Sequence, residues 1–185
     1  MGSEQGKREF YNISLIGFMG TGKTTVGRII SARLHYGFID TDHLIELRAG
    51  KSITKIFEED GEPRFREYEK SVVKELENFR KMIIATGGGL GANLENLESL
   101  KKHSLVVCLW ASPEAIYTRV KEQTHRPLLR SPDPLARIRE LLVAREPVYR
   151  EADVLITTDM RTAKEVAQQV IFHFRLVRSR SEKTI

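Results

Sequence analysis

The sequence is poor in cysteine and has no long apolar segment. Its one cysteine, Cys108, lies inside the apolar run 105–109, where a buried strand thiol is expected rather than a nucleophile or a disulfide partner. No apolar run approaches the roughly 20 residues that a membrane-spanning helix needs, and the polar N-terminus has no signal-peptide core. These features predict a reduced, soluble protein of the cytoplasm with no membrane partner.

Zinc-ligand spacing and a clustered basic face are also missing. The five histidines are scattered along the chain: His35, His43, His103, His125 and His173. The formal net charge is +5, but much of the excess lies after Arg175, in a terminal segment rather than on one face of a domain. The sequence therefore predicts no structural zinc site and no nucleic-acid partner.

The chain of 185 residues is long enough for one compact domain that buries a sizeable core. Residues 1–10 are expected to be a flexible N-terminus, 11–177 a single domain, and 178–185 a basic flexible tail. Within the domain, 42–79 should form a group of helices. Residues 124–134 hold three prolines and two arginines, which favours a loop over one edge of the molecule.

Short apolar runs alternate with segments of helical period, the pattern of βαβ units. Strands are expected at 13–16, 37–39, 81–85, 105–110 and 154–157. Helices are expected at 23–34, 42–49, 52–60, 63–79, 94–101, from 113, 135–149 and 162–177, with Gly50 and Gly61 as stops. This arrangement predicts the α/β class, with a five-stranded parallel sheet and helices on both faces.

The segment 17–24 reads Gly-Phe-Met-Gly-Thr-Gly-Lys-Thr, which matches the phosphate-binding loop G-x-x-x-x-G-K-[ST] between a strand and a helix. Its glycines allow backbone N–H groups to point at an anion, and the helix N-terminus adds partial positive charge. Lys23 is expected to reach the β- and γ-phosphates, and the Thr24 hydroxyl to ligate Mg²⁺. The expected ATP-binding residues of this segment are Gly20, Thr21, Gly22, Lys23, Thr24 and Thr25.

Further motifs follow in a characteristic order: Asp40-Thr41-Asp42, Phe65-Arg66-x-x-Glu69, Ala85-Thr86-Gly87-Gly88-Gly89, Arg126-Pro127-Leu128-Leu129 and Arg145-Glu146-Pro147-Val148-Tyr149. Together with the phosphate loop, this set resembles the shikimate kinase family in residue type, order and spacing. The resemblance runs from Ile13 to about Val170. It implies a three-layer αβα P-loop kinase fold with a mobile lid at 124–134.

The resemblance also implies an activity: ATP-dependent phosphorylation of the 3-hydroxyl of shikimate, in aromatic amino-acid biosynthesis, by a monomer that uses Mg²⁺. Lys23, Asp42 and Arg126 would be catalytic, with Asp42 as the base and Arg126 on the transferring phosphate. The remaining roles that it implies are acceptor binding by Asp42, Arg66, Gly87, Gly88, Gly89 and Arg145, adenine packing by Arg119, and magnesium binding by Asp40.

Chemistry leaves two of these assignments open. Asp40 and Asp42 alternate along an expected extended segment, so one could face metal and the other the acceptor, but Asp42 could also be a helix N-cap. The paired N–H groups of an arginine can bind a carboxylate through two hydrogen bonds. Arg66 could instead form surface ion pairs with Glu62 or Glu69.

Two rival functions share many of these features. A gluconate kinase or another small-molecule P-loop kinase would have the same phosphate loop, and a gluconate kinase would also need arginines for a carboxylate. A nucleotide-binding regulatory module that has lost catalysis is disfavoured, because Lys23, Thr24, Asp42 and Arg126 are all present.

Overall fold

Five parallel strands form the central sheet of the protein. The structure, a computed structural model, describes residues 10–122 and 131–182, with side chains to 179. The strands are β1 (Asn12–Ile16), β2 (Gly37–Asp40), β3 (Met82–Ala85), β4 (Ser104–Trp110) and β5 (Val154–Thr157). Their order across the sheet is β2-β3-β1-β4-β5, which places β1 in the middle. The expected five-stranded parallel sheet is confirmed.

Helices cover both faces of the sheet. They are α1 (Lys23–Leu34), α2 (Thr41–Ala49), α3 (Ile53–Lys55), α4 (Gly61–Leu76), α5 (Leu94–Lys101), α6 (Pro113–Val120), α7 (Pro134–Arg150) and α8 (Ala163–Glu182). A π-helical turn at Ile56–Asp60 follows α3, and a 3₁₀ turn at Leu90–Ala92 follows β3. In the part of the chain that is described, no helix has the length and apolar character to span a membrane.

The core lies in two apolar layers, one on each face of the sheet. Ile13 and Leu15 of β1 pack with α1 and α8, whereas Ile16 belongs to the layer beneath α4, α5, α6 and α7. Side chains alternate between the faces of a strand, and the central strand β1, covered on both faces, is buried at every residue. The three-layer αβα architecture follows from this double burial.

Three boundaries differ from the sequence-based expectation. The expected helix 52–60 is divided between α3 and the π-helical turn, and Gly61, expected to be a stop, begins α4 with φ +81°. The last helix was expected to end at 177, but α8 continues to Glu182, into the segment expected as a flexible tail. Arg178 explains part of this extension, since its guanidinium lies over the Phe174 ring and donates to the Tyr36 hydroxyl.

Two other segments were expected to be flexible. Residues 1–9 and most of the expected lid, 123–130, lie outside the described residues, and Arg126 lies there with them. The end of the expected lid is described: Pro134 is the first residue of α7, so the last part of 124–134 belongs to a helix start. Asp133 caps that helix by accepting from Ala136 N–H.

A buried asparagine connects three strands at the end of the sheet opposite the phosphate loop. Asn12 Oδ1 accepts from Met82 N–H at 3.0 Å, which fixes the orientation of the amide. Its Nδ2 therefore donates, to the Phe79 carbonyl at 2.8 Å and to His103 Nδ1 at 2.9 Å. Burial lowers the pKa of His103, so this ring is a neutral acceptor. One side chain thus links the starts of β1, β3 and β4.

We expect Asn12→Ala to lower the free energy of unfolding by about 2–3 kcal/mol, because it leaves the Met82 N–H and the buried His103 Nδ1 without their Asn12 partner. Urea unfolding followed by circular dichroism measures this loss. Asn78→Ala is the matched control, since Asn78 is exposed, and it should change stability by less than about 0.5 kcal/mol. Equal effects of the two substitutions would contradict a structural role for Asn12.

Candidate active site

The phosphate loop passes from β1 into α1 through backbone conformations that need glycine. Gly17 has φ +134° and Gly20 has φ +74°, values that residues with a Cβ rarely adopt. Space is restricted as well, since a Cβ on Gly17 would overlap the Leu109 carbonyl oxygen and one on Gly20 would lie 2.7 Å from Val120 Cγ1. The loop therefore packs tightly against β4 and α6, and this packing holds its N–H groups in place.

Two side chains of the loop already have partners. Lys23 Nζ donates to the carbonyls of Gly17 at 2.8 Å and Phe18 at 2.9 Å, so the amine is held over its own loop. The Thr24 hydroxyl donates to Asp40 Oδ2 at 2.8 Å. This second contact joins the start of α1 to the end of β2, two elements that are neighbours only in the folded chain.

Asp40 and Asp42 do not alternate on an extended segment as expected. Asp40 is the N-cap of α2, and its Oδ1 accepts from Asp42 N–H at 3.1 Å, so Asp42 lies inside the first helical turn. The alternative that made Asp42 the N-cap was wrong by two residues, since the capping side chain is that of Asp40. Both carboxylates nonetheless line one cavity of about 310 Å³ with Lys23, Thr24 and Gly88.

Asp42 has the more perturbed carboxyl group. Burial raises its pKa from 3.8 to about 6, the nearby negative charge of Asp40 adds to the rise, and Lys23 opposes it. A carboxyl group with this pKa can exchange a proton near neutral pH. It is the property expected of a residue that handles the proton of an acceptor hydroxyl.

The glycine segment 87–89 lies between this cavity and two arginines. A Cβ on Gly87 would overlap Asp42 Oδ1, and one on Gly89 would lie 2.7 Å from Arg66 Nη1. Gly87 N–H also donates to the Thr41 hydroxyl at 2.8 Å. The segment has no side chains of its own, so Asp42 and Arg66 lie directly against its backbone.

Arg66 and Arg145 approach the glycine segment from α4 and α7. Arg66 donates from Nη2 to Glu62 at 2.7 Å and from Nη1 to Glu69 at 2.6 Å, so the ion pairs proposed as an alternative role are present. The same guanidinium also lies beside Gly89. Arg145 Nη1 donates to the Gly88 carbonyl at 3.2 Å.

A second cavity of about 190 Å³ opens on the other side of the phosphate loop. Its lining is Gly20, Thr21, Gly22, Thr25, Val26, Arg119, Thr158, Arg161, Ala163 and Val166. Arg119 lies here as expected, and it donates to the Thr158 hydroxyl at 2.8 Å and to the Thr158 carbonyl at 2.9 Å. Gly20, Gly22 and Thr25 line both cavities, so a long ligand can extend from one to the other.

Comparison with known proteins decides the family. A family model described as shikimate kinase matches residues 19–174. A shikimate kinase of Caldanaerobacter subterraneus subsp. tengcongensis is 48% identical over 160 residues, which cover 86% of this chain and 94% of that protein. The chain belongs to the shikimate kinase family. Its activity is that of the family, the ATP-dependent phosphorylation of the 3-hydroxyl of shikimate to give shikimate 3-phosphate and ADP.

Solved structures agree with membership of the shikimate kinase family. The shikimate kinase from Acinetobacter baumannii in complex with shikimate superposes with a TM-score of 0.84 at 40% identity, covering 92% of this chain and 94% of that one. A gluconokinase from Sinorhizobium meliloti superposes with a TM-score of 0.63 at 18% identity, covering 96% and 99%. This second likeness shows a shared fold alone.

Two parts of the shikimate kinase site were missed in the sequence. Glu69 was considered only as a surface ion-pair partner of Arg66, yet it is 2% exposed and its Oε1 has no hydrogen-bond partner among the described residues. Burial raises its pKa, against the opposing influence of Arg66. Thr158 and Arg161 were missed entirely, because no local pattern signals that the segment after β5 returns to the phosphate loop.

The raised pKa of Asp42 predicts a pH-dependent gain in stability from Asp42→Asn. The folded protein binds the carboxyl proton more tightly than the unfolded chain, so ionisation costs stability above about pH 6 and nothing below about pH 4. The variant should therefore be more stable than the wild type by about 1–3 kcal/mol at pH 8. Urea unfolding at pH 4 and pH 8 measures the difference, and an equal effect at both would contradict it.

Proposed function

We propose that the family reaction is carried out in the larger cavity beside the phosphate loop, with the acceptor held against residues 87–89. The observation that carries this proposal is the convergence of Asp42, Arg66 and Arg145 on that glycine segment, beside Lys23 of the phosphate loop. One proton-handling group, two carboxylate-binding cations and a phosphate-binding cation suit an acceptor that bears both a hydroxyl and a carboxylate.

ATP occupies both cavities in this proposal. The base and ribose lie near Arg119 and Thr158, and the phosphates extend over the N–H groups of the phosphate loop to Lys23. Lys23 exchanges the carbonyls of Gly17 and Phe18 for the β- and γ-phosphates, which are stronger acceptors for an ammonium group. The close packing of the loop means that little reorganisation is needed when the anion arrives.

Thr24 and Asp40 fit the requirements of Mg²⁺. The ion prefers oxygen ligands, retains several waters and joins one or two protein groups to substrate phosphates. A hydroxyl oxygen and a carboxylate oxygen 2.8 Å apart, beside the phosphate loop and within the larger cavity, supply such a set. When bound, Mg²⁺ neutralises charge on the transferring phosphate.

Asp42 orients the acceptor hydroxyl and takes its proton as the oxygen attacks. The first turn of α2 and the glycine segment hold the carboxylate in place, so the acceptor loses little further freedom on reaching a reactive position. Arg126, within the proposed lid 124–134, compensates the charge of the transferring phosphate when the lid closes and excludes water.

Arg66 and Arg145 bind the acceptor carboxylate from two directions. Arg66 is held by Glu62 and by the buried Glu69, and these two acids fix its guanidinium before the acceptor arrives. Preorganised planar donors bind a carboxylate through paired hydrogen bonds, which lysine cannot reproduce. The backbone of Gly87, Gly88 and Gly89 completes the binding surface because no side chain separates it from the ligand.

We also propose that the protein acts as a monomer in the cytoplasm. Lys23, Asp42, Arg66 and Arg145 supply the proposed roles from a single chain, so the proposed reaction needs no residue of a second copy. The buried free thiol of Cys108 is in keeping with a reducing compartment.

The carboxylate assignment predicts that Arg66→Lys or Arg145→Lys weakens binding of shikimate by about 1.5–3 kcal/mol, because charge is kept but the paired geometry is lost. Coupled assays of ADP release at varied shikimate give this value, and KM for ATP should barely change. Arg64→Lys is the matched control, since Arg64 forms an ion pair with Glu67 on the same helix, away from the glycine segment.

A shikimate analogue whose carboxylate is reduced to an alcohol sharpens that test. The wild type should phosphorylate it poorly, and the lysine variants should lose little further, because both changes remove the same interaction. The proposal fails if the neutral analogue is as good a substrate as the acid, or if the two losses simply add.

Substitution of Asp40 and substitution of Asp42 should affect the Mg²⁺ dependence of the rate differently. Asp40→Asn should raise the Mg²⁺ concentration needed for half-maximal rate, whereas Asp42→Asn should lower kcat by at least about 100-fold at saturating Mg²⁺. ADP binding in the presence of Mg²⁺, measured by calorimetry, should survive in the Asp42 variant. If instead Asp42→Asn shifts the Mg²⁺ requirement and Asp40→Asn does not, the two roles are reversed.

A further inference from the structure

Tyr149 is a buried residue with no assigned role in the proposed reaction. It lies near the end of α7, is 0% exposed and is among the largest fully buried side chains. Its ring meets that of Trp110 edge to face, with the centroids 6.4 Å apart. Its hydroxyl donates to the carbonyl of Gly88 at 3.2 Å. A phenol that reaches a backbone carbonyl of the acceptor site has a possible role beyond packing.

The Gly88 carbonyl has two donors from the same helix. Arg145 Nη1 and the Tyr149 hydroxyl both lie 3.2 Å from its oxygen. Residues four apart lie on one face of a helix, so α7 presents both groups to the glycine segment together. A carbonyl oxygen has two lone pairs and can accept both bonds at once.

Arg145 cannot devote the same N–H to the Gly88 carbonyl and to an acceptor carboxylate. A carboxylate is the stronger acceptor for a guanidinium, so the arginine is expected to turn towards it when the acceptor binds. Loss of its donor leaves the partly buried carbonyl less stable, and this cost would oppose acceptor binding. The cost is avoided only if another donor stays on the carbonyl.

We propose that Tyr149 is a positioning residue, which keeps the Gly88 carbonyl hydrogen-bonded and the glycine segment in place while Arg145 turns to the acceptor carboxylate. This inference rests on the proposed carboxylate-binding role of Arg145. Tyr149 itself touches neither substrate.

The environment of Tyr149 suits a permanent donor. Burial raises its pKa to about 12, although the nearby Arg145 cation opposes the rise. The phenol therefore keeps its proton at neutral pH. Packing against Trp110 restricts the ring, so the hydroxyl stays directed at the carbonyl.

The test is Tyr149→Phe, which removes the hydroxyl and keeps the ring. We expect KM for shikimate to rise about three- to tenfold, the effect of one lost hydrogen bond. KM for ATP and kcat should stay within about twofold of the wild type. The matched control is Tyr36→Phe, which removes a hydroxyl that accepts from Arg178 in the layer beneath α1 and α8, and its KM values should not change.

The carboxylate-reduced analogue separates this role from a structural one. Tyr149→Phe should change its KM by less than about twofold, because Arg145 then has no carboxylate to turn to. In the double variant Tyr149→Phe/Arg145→Lys, the rise in KM for shikimate should be smaller than the product of the two single effects. Both results would support the proposal.

Two outcomes would overturn it. A lower melting temperature with unchanged kinetics would make Tyr149 a packing residue. Equal rises in KM for the acid and the neutral analogue would mean that Tyr149 holds the segment independently of Arg145. Failure of the carboxylate-binding role itself is distinguishable, because Arg145→Lys alone would then leave KM for shikimate unchanged.

Discussion

The site depends on the close approach of charged side chains to a backbone that has no side chains of its own. A Cβ on Gly87 would collide with Asp42 and one on Gly89 with Arg66, so the groups proposed to act on the acceptor approach each other this closely because the segment after β3 is glycine. The parallel sheet brings these groups together, because the carboxyl ends of β1, β2 and β3 lie at the same end of the sheet. Sheet order determines which loops are neighbours, and the glycines determine how closely they approach.

Charge at this edge is arranged in pairs rather than neutralised overall. The acidic side consists of Asp40 and Asp42. Burial and the negative charge of Asp40 raise the pKa of Asp42 to about 6. The basic side is held by Glu62 and the buried Glu69, which restrain Arg66. A free Arg66 would have to be ordered by the ligand at an entropic cost, and the two acids have met that cost during folding.

Local signals predicted much of the fold, whereas the roles of the candidate site residues stay predictions. The helix 23–34 and the strand 154–157 were confirmed at both ends, because glycine-rich or polar turns bound strong apolar patterns there. The start of α2 was placed wrongly. Asp40 and Asp42 are both aspartates, so the sequence does not show which of them caps the helix. Thr158 and Tyr149 could not be predicted, because their contacts join residues far apart in the sequence.

The smaller cavity has one wall from the start of the chain and one from its end. The phosphate loop and Val26 supply the first wall, and Thr158, Arg161 and Val166 supply the second. During synthesis, the N-terminal elements leave the ribosome long before β5 and α8. A nascent chain can therefore form the phosphate loop early, but this cavity lacks its second wall until α8 has emerged. If the proposed assignment of the nucleotide base to this cavity holds, the base is recognised only after α8 has been synthesised.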